Sequence, residues 1–250
     1  MTTETAPRVP TGCTGFDQML QGGLVQGYCT VLEGSPGTGK TTLGLQFLVE
    51  GCLRGEPGLA ITFEEFPEQY YENAEQLGWD LRAWEAKGLL KIQFSDPITF
   101  LEGLQDIEGH IAELVEEMGA KRILVDSVTH FERLTDDPAT LRRIETDLVH
   151  ALKREELTSI LLKENPHVLG GWDRSENRIA FIADALVLMR YIELESEVKR
   201  GIVILKMRGS DHDKQIREYV IGKGGIEIRE PFQGVGGLFS GSGVRAAANA

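Results

Sequence analysis

Cysteine is scarce: Cys13, Cys29 and Cys52 are the only three in 250 residues. They show no C-x-x-C spacing and are odd in number, which fits neither a zinc site nor a disulfide framework. They read as reduced, structural thiols. Aromatic residues are also few, at 7%. No basic stripe accompanies Trp79, Trp84, Trp172 or the Tyr70-Tyr71 pair, so core packing is expected of them rather than base stacking. His110, His130, His150 and His167 lack metal-ligand spacing and receive no role. Positive charge is outweighed, since 26 Lys and Arg against 39 Asp and Glu leave a formal net charge of -13. That field opposes non-specific binding to nucleic acid. No apolar run approaches the roughly 18 residues a membrane span needs. The opening stretch, Met1 to Pro10, has no hydrophobic segment after a basic start, so a cytoplasmic location is expected.

What is present is an ordinary globular composition, 41% hydrophobic and 26% charged with 29 Gly, arranged as alternating strand and helix signals. Tyr28 to Gly34 is apolar, β-prone and stopped by glycine. Thr41 to Arg54 reads as a helix closed by Gly55. Gly58 to Glu64 is a second strand, ending on the acidic pair Glu64-Glu65. Pro67 opens a helix to Leu77, Leu89 to Phe94 is a strand, and Glu102 to Met118 has the apolar spacing of one amphipathic helix. Arg122 to Val125 is a buried strand stopped by Asp126, Pro138 to Arg154 is helical, and Thr158 to Leu162 is a further strand. The series predicts an α/β fold: a mostly parallel central sheet covered by helices on both faces. Beyond Asn165 a Gly-rich loop, His167 to Asn177, precedes strand-like runs Ala185 to Ile192, Gly201 to Met207 and Glu218 to Ile221, expected as antiparallel additions. Residues 1–8 read as a flexible arm and 9–230 as one domain. Residues 231–250 form a Gly/Ser/Ala-rich tail with little to bury.

Gly34-Ser35-Pro36-Gly37-Thr38-Gly39-Lys40-Thr41 matches the P-loop pattern G-x-x-x-x-G-K-[ST], after a strand and before a helix. In that context the glycines let backbone N–H groups turn onto phosphates, and the helix N-terminus adds its positive end. Lys40 is expected on the β- and γ-phosphates and the Thr41 hydroxyl on Mg²⁺, with Ser35 through Thr42 forming the ATP/ADP cradle. Asp126 is the expected Walker-B acid, reaching Mg²⁺ through its water shell. Glu64 and Glu65 are candidates for holding the attacking water. On spacing alone a solvated acidic turn explains them better, and the P-loop context shifts the reading to catalysis. Lys206, Arg208 and His212 follow the strand Ile202-Val203-Ile204-Leu205. They suit either an arginine-finger contact to a neighbouring subunit's nucleotide or a solvated basic turn.

Taken together, Thr11-Gly12-Cys13-Thr14-Gly15-Phe16-Asp17, Gly22-Gly23-Leu24, the P-loop, Thr62-Phe63-Glu64-Glu65, Leu77-Gly78-Trp79-Asp80-Leu81, Val125-Asp126-Ser127-Val128 and Lys206-Met207-Arg208-Gly209-Ser210 resemble the KaiC family. Coverage runs from about Val9 to Ile228. The resemblance implies a RecA-like fold, homohexamers with ATP between subunits, and Glu64 and Glu65 as the catalytic pair. It also implies that Lys206, Met207, Arg208, Ser210 and His212 reach a neighbour's nucleotide, and that turnover is slow. KaiC itself carries two such domains in tandem. Where its second domain has adjacent Ser-Thr phosphoacceptors, alignment on Asp184 and Tyr191 puts Ala180 and Phe181, which have no hydroxyl. Ser175 falls near a further hydroxyl-bearing site, and Lys163-Glu164 replaces a more neutral, Thr-rich strand end. The expected function is ATP hydrolysis in a ring acting as a signalling or clock-related switch that a partner protein reads. Three alternatives remain: a RecA-type accessory ATPase on single-stranded DNA, a nucleotide-gated scaffold, and an autokinase acting at Ser175 or elsewhere.

Overall fold

The computed structural model describes residues 6–106, 109–166, 179–194 and 196–233, with the backbone of 235–236 and 244–245. In chain order the first half runs β1 (Arg8–Val9), α1 (Thr14–Met19), β2 (Leu24–Val25), β3 (Cys29–Gly34), α2 (Lys40–Leu53), β4 (Gly58–Thr62), α3 (Pro67–Leu77), α4 (Leu81–Ala86) and β5 (Leu90–Phe94). The second half is α5 (Pro97–Gln105), α6 (His110–Met118), β6 (Arg122–Asp126), a 3-10 turn (Val128–Arg133), α7 (Pro138–Arg154), β7 (Thr158–Glu164), α8 (Ile179–Ile182), β8 (Ala185–Leu194), β9 (Glu197–Met207), β10 (Arg217–Gly222), β11 (Gly225–Pro231), β12 (Val235–Gly236) and β13 (Val244–Arg245).

Nine strands form the central sheet in the order β11-β10-β9-β8-β3-β7-β6-β4-β5. The run from β8 to β5 is parallel, and β9 to β11 are antiparallel. Side chains alternate faces along a strand, so Leu32 and Leu124 join one core while Val31 and Val125 join the other. The first core takes Phe16 of α1, Phe47 of α2, Tyr70 of α3 and Leu81 of α4. The second takes Phe100 of α5, Ile111 of α6, Leu148 of α7 and Ile179 of α8. Helix starts follow their caps: Asp137 accepts from the backbone of Ala139 and Thr140 at the head of α7, with Pro138 at the first position. No helix among the described residues is long and apolar enough to cross a membrane.

Two expectations are corrected. The amphipathic stretch from Glu102 to Met118 is two helices, α5 and α6. The chain doubles back so tightly that a Cβ on Gly109 would lie 2.3 Å from the Gly103 carbonyl oxygen, a turn the apolar spacing does not reveal. The strand expected from Ala185 is parallel to β3, not antiparallel. The 20-residue connection from Glu164 to Ala185 is long enough to cross over β3 and start β8 from the same end. The Gly-rich loop, with Ser175, His167 and Trp172, lies outside the described residues, as does most of the 231–250 tail.

A buried arginine ties the early chain to the sheet. Arg122, at the start of β6, donates to Glu56 Oε2 through Nε and Nη2 at 2.9 and 2.6 Å. Its Nη1 donates to the carbonyls of Pro10 and Phe47 at 2.7 and 2.8 Å. Arg122→Met keeps much of the volume but removes the guanidinium's donors to both carbonyls and to Glu56. We predict a loss of about 3 kcal/mol, read as a lower urea midpoint at unchanged m-value; an unchanged midpoint would show that water replaces the guanidinium.

Candidate functional site

The site forms where β3, β7, β6 and β4 end. At the end of β3 the chain makes a compact loop before α2. Gly39 has φ +91, and a Cβ there would lie 2.6 Å from Ile221 Cδ1, so both backbone and space call for glycine. The loop is braced from within and outside. Thr38 Oγ1 donates to the Ser35 carbonyl at 2.7 Å, and the Tyr219 hydroxyl donates to the Thr38 carbonyl at 2.6 Å. Ser35 and Thr38 are buried, Pro36 and Gly37 are exposed at the tip, and Thr41 and Thr42 are half-buried on the first turn of α2.

Lys40 is buried, and its Nζ donates to the Ser35 carbonyl at 3.2 Å. Loss of solvent lowers the pKa of its ammonium, and Arg190 adds to that, while Glu164, Asp126 and Glu33 oppose it. The loop therefore holds a poorly solvated cation, a state that an incoming anion relieves. Beneath it Glu33 accepts from Asn165 Nδ2 at 2.8 Å and from Arg190 Nη2 at 2.7 Å. Sequence reasoning did not find this group, because nothing at the position of Glu33 in an apolar strand distinguishes a supporting acid from an edge residue.

Asp126 ends β6 opposite the loop. Its Oδ2 accepts two hydroxyls, Thr41 Oγ1 at 2.8 Å and the Tyr70 phenol at 2.8 Å. A hydroxyl and a carboxylate converging beside this glycine-dependent loop are hard oxygen donors of the kind Mg²⁺ accepts. No group of three or more His, Cys, Asp and Glu able to hold a metal occurs among the described residues. A nucleotide-borne Mg²⁺ needs only one or two protein oxygens, so the donor set fits.

Glu64 and Glu65 follow β4, the neighbour of β6, and both side chains are exposed. The Glu65 carbonyl accepts from Thr62 Oγ1 at 2.8 Å, which anchors the turn. Partial burial raises the Glu65 pKa, and the charges of Asp126 and Glu64 raise it further. Glu64 Oε2 lies 3.5 Å from His130 Nε2, so His130, given no role from spacing, neighbours the acidic pair. Tyr70 packs in the core as expected, but its hydroxyl also belongs to the site. A tyrosine on the inward face of a helix, whose buried phenol needs a partner, is the signal that could have found it.

The structure does not bring the Lys206 to His212 cluster to its own P-loop. Met207 pairs with Ala185, and Thr30 at the start of β3 pairs with the same residue. The cluster thus sits at the opposite end of the sheet, a strand length of about 13 Å away. Lys206 Nζ donates to the carbonyls of Ala180 and Ala183, each at 2.7 Å. Arg208 Nη2 donates to the Phe181 carbonyl at 2.6 Å. Ser210 Oγ accepts from Arg8 and donates to the Asp211 carbonyl. His212 Nδ1 is buried with no hydrogen-bond partner among the described residues. Phe181 is 70% exposed, so an aromatic ring stands where the resemblance led one to look for a hydroxyl.

Comparison with known proteins agrees with this geometry. Residues 9–233 match the family described as "ATPase: KaiC". The chain is 33% identical over 238 residues to the circadian clock protein KaiC3 of Synechocystis sp., covering 94% of this chain and 46% of that one. It is 36% identical over 241 residues to the circadian clock oscillator protein KaiC of Parathermosynechococcus lividus, covering 95% of this chain and 43% of that one. It therefore spans less than half the length of these relatives. A crystal structure of a KaiC-like protein from Pyrococcus horikoshii OT3 superposes with a TM-score of 0.79 at 30% identity, over 90% of this chain and 100% of that one. Because that family model matches residues 9–233 and these relatives are 30% or more identical over at least nine-tenths of the chain, the chain belongs to the KaiC family of ATPases.

Proposed function

We propose that the protein binds Mg-ATP in this pocket and hydrolyses it to ADP and phosphate within a homo-oligomeric ring. The observation that carries the reading is the convergence of Lys40 and Thr41, on the first turn of α2, with Asp126 at the end of β6 and Glu65 just after β4, all at one end of the sheet. The backbone N–H groups along residues 35–41, all but that of Pro36, and the Lys40 ammonium hold the phosphates, and Thr41 and Asp126 hold the cation. Bound Mg²⁺ would neutralise phosphate charge as the reaction proceeds. Glu65 orients the attacking water and takes its proton, and Glu64 keeps the turn acidic beside His130. ATP and ADP are the nucleotides, and the cytoplasm is the proposed location.

A head-to-tail ring brings opposite ends of one protomer's sheet against each other across each interface. That arrangement sets Lys206, Met207, Arg208, Ser210 and His212 of one subunit beside the nucleotide of the next, with a hexamer as the proposed size. The pocket end also exposes Phe66, stacked on Phe94 at a centroid distance of 4.7 Å. Exposed aromatics of this kind suit a subunit contact. The work done is a nucleotide-dependent change in ring conformation that a partner protein reads. Autophosphorylation at Ala180 and Phe181 is chemically impossible, so a timekeeping role would have to run without it.

Mixing inactive subunits tests the reading. Lys40→Ala and Arg208→Ala are each expected to release little phosphate alone. Mixed after subunit exchange, they should recover a measurable fraction of wild-type activity, because some interfaces then pair an intact P-loop with an intact Arg208. No recovery in rings shown by mass to be mixed would remove the trans role, as would a particle that stays monomeric with and without Mg-ATP.

A further inference from the structure

We propose that Tyr70 is a positioning residue for the metal carboxylate, fixing Asp126 so that the pocket takes up Mg²⁺ with its nucleotide; this rests on the Mg-ATP reading above. Tyr70 lies on the first turn of α3, just after the Glu64-Glu65 turn, and is 2% exposed. Its phenol donates to Asp126 Oδ2 at 2.8 Å, the same oxygen that accepts Thr41 Oγ1 at 2.8 Å. Packing alone explains the ring but not the hydroxyl, which spends its donor on a carboxylate with work to do elsewhere.

The two hydroxyls have different capacities. That of Thr41 can offer a lone pair to a cation while still donating to Asp126. The phenol reaches Asp126 from the opposite element, α3, and serves as its fixed donor. Two donors on one oxygen hold the plane of the carboxylate, as outer-shell partners do for metal-ligating groups generally. A second link runs through the backbone. Thr62 Oγ1 holds the Glu65 carbonyl at 2.8 Å, and α3 begins two residues later at Pro67. Tyr70 thereby fastens the segment carrying the acidic pair to the end of β6, so the placement of Glu65 and that of Asp126 are coupled.

The test uses Tyr70→Phe in the full chain. The ring keeps its packing, and Asp126 is half-buried, so water can reach the vacated oxygen. Binding of the β,γ-imido analogue of ATP is measured calorimetrically across a Mg²⁺ series and in EDTA. The Mg²⁺ concentration giving half of the metal-dependent gain in affinity should rise about tenfold, with affinity in EDTA unchanged. In an Asp126→Asn background the same substitution should add no further Mg²⁺ shift, as expected if Tyr70 acts through that carboxylate. An unchanged Mg²⁺ midpoint, an equal loss of binding with and without Mg²⁺, or full additivity with Asp126→Asn would overturn the proposal. If the wild type gains no affinity from Mg²⁺, the Mg-ATP reading itself fails and takes this role with it.

Discussion

Lys40→Ala should reduce ATP affinity by a factor of about 100 or more, because charge-assisted bonds from one ammonium to a triphosphate are each worth roughly 1.5–3 kcal/mol. The size of the effect follows from where Lys40 sits. It is buried, its ammonium is disfavoured by lost solvent, and its nearest hydrogen-bond acceptor is the Ser35 carbonyl. A cation kept in that state gains more from a phosphate than an exposed one would. The same facts separate binding from folding. Removing a poorly solvated charge costs the empty protein little, so the melting temperature without nucleotide should hold or rise. Wild type should melt higher with Mg-ATP, and Lys40→Ala should not. Equal calorimetric titrations of the two proteins would remove the P-loop reading altogether.

That pocket was the most legible part of the chain because its chemistry is local. A strand, a glycine-dependent turn and a helix start follow one another, and Gly34 to Thr41 spells them out without reference to distant residues. Asp126 was readable for a similar reason, as the polar stop of an apolar strand. What stayed hidden depends on contacts across the fold. The Tyr70 phenol meets a carboxylate 56 residues away, and Glu33 is satisfied by Asn165, just past the end of β7, and by Arg190 from the middle of β8. Neither pairing leaves a periodic trace. The direction of β8 was hidden because apolar alternation is the same in parallel and antiparallel strands; the length of the preceding connection decides it. The break between α5 and α6 was hidden because both helices keep the same apolar phase toward one core.

Glu65→Gln should slow phosphate release by about 100-fold or more while leaving nucleotide binding intact, since a positioned general base contributes on that scale. The substitution preserves shape and removes only the charge and the proton-accepting oxygen. Loss of a negative charge near the triphosphate should if anything tighten binding, which makes the split between rate and affinity diagnostic. Glu64→Gln should cost less: its carboxylate faces His130 at 3.5 Å, whereas partial loss of solvent and the charges of Asp126 and Glu64 raise the Glu65 pKa. The sign of that shift sets a second expectation. A base must be ionised to accept a proton, so wild-type rate should fall on acidification from a higher pH than an unperturbed glutamate would give, and that limb should vanish in Glu65→Gln. Removing Glu64 takes away one of the charges that raise the Glu65 pKa, so in Glu64→Gln the acid limb should move toward lower pH. If instead Glu64→Gln abolishes turnover and Glu65→Gln does not, the two carboxylates exchange roles and the water must be held on the His130 side of the turn.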